Sequence, residues 1–324
     1  MHLIVPFAGT ASEAGLQALQ TLSLPHLDRL LARLTPSPPF GSDEFSLNPP
    51  HEQALALALG WTNNAATLPG RALPDCALPD CALPFAAQQA QALGLPGATT
   101  AAWGCLTPVH LHAGSEQISL TDPAALQLDE AASRAALDAV QHLFTSEGVH
   151  LHWAAPLVWL ASHPQFDGMA TASLDRVMGR QLTPWLPDRQ SARLIRRLQN
   201  EVQMLLYTHP LNDRREAAGL PTINSFWLSG CGTLPTSNTP PEALQIDHRL
   251  RAPALAEDWA AWCEAWRALD NGPIAGLLQQ PGSARLTLCG ERFAQPFTLQ
   301  PQPWWQALLQ RWRQPATTSV LEAL

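Results

Sequence analysis

The side chains best suited to chemistry crowd into residues 204–232, MLLYTHPLNDRREAAGLPTINSFWLSGCG. His209, Asn212, Arg214, Arg215, Asn224, Ser225 and Ser229 share that span, bracketed by Gly219, Gly230 and Gly232. Arginine presents a planar fork of donors that matches carboxylate and phosphate oxygens, and asparagine can orient such a ligand. His209, Asn212, Arg215, Asn224 and Trp227 therefore form a candidate ligand-binding set for an anion. A second reading stays open, in which the polar groups cap a helix and bridge it to a sheet. The order of residues implies a helix ending near Thr208, a turn, then a short buried strand through Phe226-Trp227-Leu228 into a Gly-rich bend. Such strand-to-bend junctions are where α/β proteins place their sites.

Other groups with chemical potential are scattered. His110 and His112 stand two apart in WGCLTPVHLHAGSEQISL (103–120), and His150 and His152 repeat the pattern in GVHLHW. Extended backbone puts each pair on one face, a candidate metal pair without a third ligand in evident register. The six cysteines, at 76, 81, 105, 231, 263 and 289, show no CxxC spacing, which excludes a zinc ribbon or a thioredoxin-like motif. Cys231, between two glycines, is the thiol to test for reactivity. Residues 72–83, ALPDCALPDCAL, repeat with a period of five that fits neither helix nor strand and read as a duplicated loop.

Composition narrows the function classes. All 19 basic residues are arginine, so no Schiff-base lysine and no phosphate-loop lysine exists. A formal charge of −8 argues against a general nucleic-acid binder. No apolar run is long enough for a bilayer, and the start MHLIVPFAGTASEAG lacks signal-peptide character, so no membrane partner and a cytoplasmic location are expected.

The elements that must position these groups follow from periodicity. Residues 2–6 read as a buried strand, and leucines between 16 and 34 sit at helical spacing, interrupted by Pro25 into two helices. HEQALALALGW (51–61) is a short helix stopped by Gly60, and 129–144 a helix opened by acids. Residues 171–187 read as a loop, and an amphipathic helix runs from about 188 through 208. After a linker-like bend to 241, a helix over 255–269 carries Trp259, Trp262 and Trp266 on one stripe that reads as core. A strand over 283–293 and a last helix at PWWQALLQRW complete the chain.

HPLNDRREAAGLPTINSFWLSGCG resembles a segment of the archaeal-type cofactor-independent phosphoglycerate mutases, as do HLDRLLARL (26–34) and TASLDRVMGRQLTPWLP (171–187) in collinear order. That family is of the alkaline-phosphatase-like superfamily. The resemblance implies an α/β fold, a mixed sheet sandwiched by helices with a small inserted α+β subdomain. The implied boundaries are a core of 1–100 with 205–324 and an insert of 101–204. It also implies two divalent metals held by Asp and His and a transiently phosphorylated serine. Ser42 in GSDEF resembles the family's Ser-Asp pair, Ser46 lies nearby, and His51 is a candidate base. The pattern departs where metals should bind: the first strand ends in Pro6-Phe7-Ala8-Gly9, and RLTLCGER (285–292) carries no Asp-Glu-x-Gly-His run. SLNPPHE, LTPVHLHAGS, LQNEVQMLLYTHPLN and NSFWLSGCG resemble a proteobacterial group of regulatory proteins of the RpfE type. The expected function is thus a non-catalytic regulatory or ligand-binding protein on a degenerate mutase fold, with no metal and no cofactor. Its partners would be a phosphorylated or carboxylated small molecule, or a regulatory protein. The alternative is an active phosphoglycerate mutase or related metal-dependent phosphoryl-transfer enzyme.

Overall fold

The computed structural model describes residues 1–61, 80–114, 117–186, 192–235, 243–280, 284–299 and 317–324. They fall into two units: 1–44 with 49–61 and 239–324, and 45–48 with 62–238.

The first unit is a mixed α/β layer structure. Strand β1 (His2–Val5) lies between β10 (Leu244–Ile246) and β11 (Arg285–Cys289), parallel to both. Strand β12 (Phe293–Thr298) pairs antiparallel with β11 and with the short β2 (Thr35–Pro36) and β3 (Phe40–Gly41). Alternation along β1 sends Leu3 and Val5 to one face and Ile4 to the other. Leu3 and Val5 pack with Leu19 of α1 (Glu13–Gln20), Leu27 of α2 (Pro25–Leu31), and Trp262 and Trp266 of α10 (Trp259–Leu269). Ile4 packs with Ala54 of α3 (Pro50–Ala58). Apolar side chains on both faces are why helices cover both sides of this sheet.

Local chemistry sets these helices. Ser12 caps α1 by accepting the Gly15 N–H at 3.1 Å. Pro25 opens α2, and the buried Asp270 carboxylate accepts the N–H groups of His26 and Leu27 at 3.2 and 2.7 Å. The tryptophan stripe is core, with Trp262 and Trp266 fully buried and edge-on at 6.0 Å.

The second unit holds an antiparallel sheet in the order β7 (His150–Ala155), β8 (Val158–Ser162), β4 (Trp103–Val109), β9 (Ser225–Gly232). Helices α5 (Glu130–Ser146) and α7 (Arg193–Tyr207) bring Val140, Phe144, Leu198 and Val202 into one cluster with Leu106, Phe226 and Leu228. Helix α4 (Phe85–Ala92) packs on β4 and β9. Gly230 is required there: its φ is +64°, and a Cβ would come within 3.2 Å of the Ala86 nitrogen. Strands β5 (Leu111–Ala113) and β6 (Ile118–Leu120) form a separate hairpin.

Several expectations need correction. Because β9 pairs with β4, residues 205–235 belong with the inserted sheet, as do the described residues 80–100; the insert is larger than 101–204. The turn expected after Thr208 is a further helix, α8 (Pro210–Ala217), which Pro210 can start because its missing N–H is no loss in a first turn. The loop expected over 171–187 contains α6 (Leu174–Val177) and a single 3-10 turn at Thr183–Trp185. The single helix expected over 255–269 is two, α9 (Arg251–Leu255) and α10, broken where Glu257 adopts φ +52°. The strand over 283–293 is β11 alone, turning into β12. Residues 72–79 of the repeat, 188–191, most of the bend before 241 and the helix at 303–312 lie outside the described residues. The described chain continues through α11 (Ala275–Leu278) and ends in α12 (Thr317–Glu322). No described helix is long and apolar enough to cross a membrane.

Candidate functional site

The stretch richest in polar side chains spends them on its own backbone. Asn212, 4% exposed, donates its amide to the carbonyls of Leu206 and Ile223, both at 2.8 Å, and accepts the Ile223 N–H at 2.9 Å. Arg215, 5% exposed, donates Nε to the Pro221 carbonyl at 2.8 Å and Nη2 to the Leu126 carbonyl. Burial lowers its pKa from the ordinary guanidinium value, with the Asp129 charge opposing. Asn224 imitates a strand neighbour, accepting the Leu111 N–H at 2.7 Å and donating to the Leu111 carbonyl at 2.9 Å. His209 caps α8, its Nδ1 accepting the Leu211 N–H at 3.2 Å. These four residues fix the passage from α7 through α8 into β9, and their arrangement matches the cap-and-bridge alternative. Trp227 differs. Its indole N–H donates to the Ala172 carbonyl at 2.9 Å, and its ring lines a pocket.

The histidine pairs stay apart in the second unit. His112 is on the β5–β6 hairpin, while His150 and His152 are on β7 of the four-stranded sheet. His110 Nδ1–H donates to the Thr222 carbonyl at 2.9 Å. His152 packs against Trp103 with ring centres 5.4 Å apart, and burial, then the nearby His150, lowers its pKa. Ser46 is buried, its hydroxyl accepting from Arg176 Nη2 at 2.9 Å. Cys231 is buried and its thiol pKa is raised, first by burial, so thiolate chemistry is disfavoured there.

In the first unit, topology points to the carboxyl ends of β1, β10 and β11, where parallel sheets bind ligands. Phe7 follows β1 with φ +57°, a conformation that strains a bulky side chain. Its carbonyl accepts the Trp262 indole N–H at 3.0 Å, and its ring lies 5.5 Å from that of His51. Gly290, after β11, packs so closely on Leu324 that a Cβ would collide with it. The Leu324 carbonyl accepts the N–H groups of Arg292 and Phe293 at 3.2 and 2.7 Å. Asp247, after β10, is a carboxylate that sequence reading missed. Only its place after the short alternating run LQI could have marked it as a strand end. It is buried and committed, accepting Arg249 Nε at 3.1 Å and the Arg249 N–H at 3.2 Å. Two hard cations need several oxygen ligands. Among the described residues no group of three His, Cys, Asp or Glu converges to hold one, so the donors present do not fit a two-metal centre.

A small, partly open pocket behind Trp227 lies between β9, the 3-10 turn and the start of α7. Trp185 and Trp227 supply aromatic walls, Ile195 and Leu228 apolar ones, and Gln199 and Arg196 the polar side chains. Gln199 Nε2 is fixed on the Phe226 carbonyl at 3.0 Å. Trp185 is 3% exposed, flanked by Phe45 at 6.1 Å and the Arg180 guanidinium at 6.0 Å. Its indole N–H is sealed from solvent without a hydrogen-bond partner among the described residues.

No protein-family model matches the chain, and no curated protein does. Among solved structures it is similar to the PH0037 protein of Pyrococcus horikoshii, with 11% identity, a TM-score of 0.46 and coverage of 92% of this chain and 86% of that one. It is also similar to the cofactor-independent phosphoglycerate mutase of Thermoplasma acidophilum, with 12% identity, a TM-score of 0.32 and coverage of 92% and 89%. Both likenesses are remote, and the fold is read from the topology described above.

Proposed function

We propose that this protein is a non-catalytic ligand-binding protein on a phosphoglycerate-mutase-like scaffold of the alkaline-phosphatase-like type. The observation that supports this reading most is the filled carboxyl edge of the parallel strands. At that edge the Phe7 carbonyl holds the Trp262 indole, the Phe7 ring packs on His51, Leu324 packs on Gly290, and Asp247 is paired with Arg249. Without a dication, neither activation of a serine nor neutralisation of a transferring phosphoryl group has a source. The ligand in this reading is a phosphorylated or carboxylated small molecule. Of the five candidate residues, Trp227 faces it, while His209, Asn212, Arg215 and Asn224 hold the framework behind. A regulatory role of the RpfE type, exerted on a protein partner, is compatible with such a binder.

The test is metal analysis together with a mutase assay. Purified protein equilibrated with manganese or zinc and then desalted is expected to retain substoichiometric metal and to leave 3-phosphoglycerate unconverted. Stoichiometric metal with chelator-sensitive mutase activity would overturn the proposal.

A further inference from the structure

We infer that the first unit carries a docking groove for a short helical segment of a protein partner, bearing leucines three residues apart, and that the chain's own residues 317–324 hold this groove closed. The seated segment defines the chemistry. Helix α12 packs on α1 and α2, with Leu321 fully buried in the core cluster and Val320 and Leu324 partly buried against it. The Leu324 carbonyl accepts the N–H groups of Arg292 and Phe293 at 3.2 and 2.7 Å. At the other end the Thr317 hydroxyl donates to the Asp28 carboxylate. Ser319, Glu322 and Ala323 face solvent. The groove therefore reads one hydroxyl, two leucines and one backbone carbonyl, and leaves the positions between them free.

Two glycines shape the groove to a peptide backbone. Gly9, after β1, lies so close to the Leu321 carbonyl that a Cβ would collide with it, and Gly290, after β11, has no room for one beside Leu324. Two separate loops thus give up their side chains to the same segment, which lets its backbone approach closely. The hold on that segment is slight. Helix α12 has six residues, and isolated helices shorter than about 12 to 15 residues are marginal in water, so docking is what keeps it helical. A single fully buried side chain anchors it, which places it at the low end of local stability. An amphipathic turn from a partner that offers the same leucine spacing can take its place, as helices do in apolar grooves.

The groove goes beyond the proposed scaffold role and fails separately from it, since mutase activity would overturn the role and leave the groove. The probe is a fluorescein-labelled peptide of residues 317–324, blocked at both ends, titrated into full-length protein and followed by anisotropy. In the wild type the attached segment competes at an effective concentration on the order of millimolar. Leu321→Asp sets a charge where the anchor is buried and so releases the segment. That variant is expected to bind the peptide saturably and at least about tenfold more tightly than the wild type does. A peptide carrying the same Leu321→Asp change is expected to bind neither protein. No binding by the variant, or equal binding by variant and wild type, would overturn the inference. If Leu321→Asp does not fold, hydrogen exchange on the wild type decides. The N–H groups of Leu321 and of Phe293, which Leu324 holds, should share one protection factor, about a hundredfold below that of the Leu286 N–H in β11. Protection equal to that of Leu286 would mean that the segment leaves only on global unfolding, and would overturn the inference.

Discussion

Two polar sets in the second unit lie on neighbouring stretches of chain and use their hydrogen bonds in opposite ways. Around α8, Asn212, Arg215 and Asn224 direct their donors and acceptors at backbone groups of the loops they join. At the start of α7, Trp185 carries a sealed N–H that no described residue accepts. The first set satisfies groups that the chain's own turns would otherwise leave buried and unpaired, so its worth is stability. The second is a donor whose removal leaves no described acceptor unpaired, so little stability rests on it.

The largest effect that would sharpen this contrast is expected at Asn212. Replacing it with alanine removes three hydrogen bonds and strands the Ile223 carbonyl and N–H in the interior, while the Leu206 carbonyl keeps the His209 N–H. Urea unfolding should show a loss of roughly 3 to 4 kcal/mol. A variant of native stability would break the contrast, because it would free Asn212 for a ligand. Next comes Arg215→Met, which keeps much of the buried stem but abandons the Pro221 and Leu126 carbonyls. A loss of about 2 to 3 kcal/mol is expected, measured in the same way.

How much of this was legible beforehand varies by element for physical reasons. Strand β1, the break at Pro25 and the tryptophan stripe of α10 were readable because burial periodicity and proline chemistry act locally. The fate of β9 was not. Its apolar run announces a strand, but only pairing with β4, more than a hundred residues earlier, decides which sheet it joins. Likewise Asn212 and Arg215 look like ligand residues in sequence because side-chain type does not reveal the backbone carbonyls that folding brings within reach. Trp185 was passed over as part of a loop, since a spare donor is defined by the partners it fails to find. Asp247 went unseen because three residues of strand give too little pattern to mark an edge.

The smallest effects bear most directly on the comparison, because they set two tryptophans of one pocket against each other. Trp227→Phe deletes a donor that the Ala172 carbonyl uses, leaving a buried acceptor unpaired, and should cost about 1 to 2 kcal/mol. Trp185→Phe deletes a donor without a described partner. It loses some apolar contact but also removes the penalty of a buried, unmade hydrogen bond, so stability should change by less than about 1 kcal/mol. Both side chains are similarly buried, at 3% exposed, so loss of ring volume largely cancels in the difference between the two variants. Parallel urea titrations measure that difference. If Trp185→Phe proves as destabilising as Trp227→Phe, its N–H already has a partner in the free protein, and the distinction between a bonded and an unbonded indole collapses.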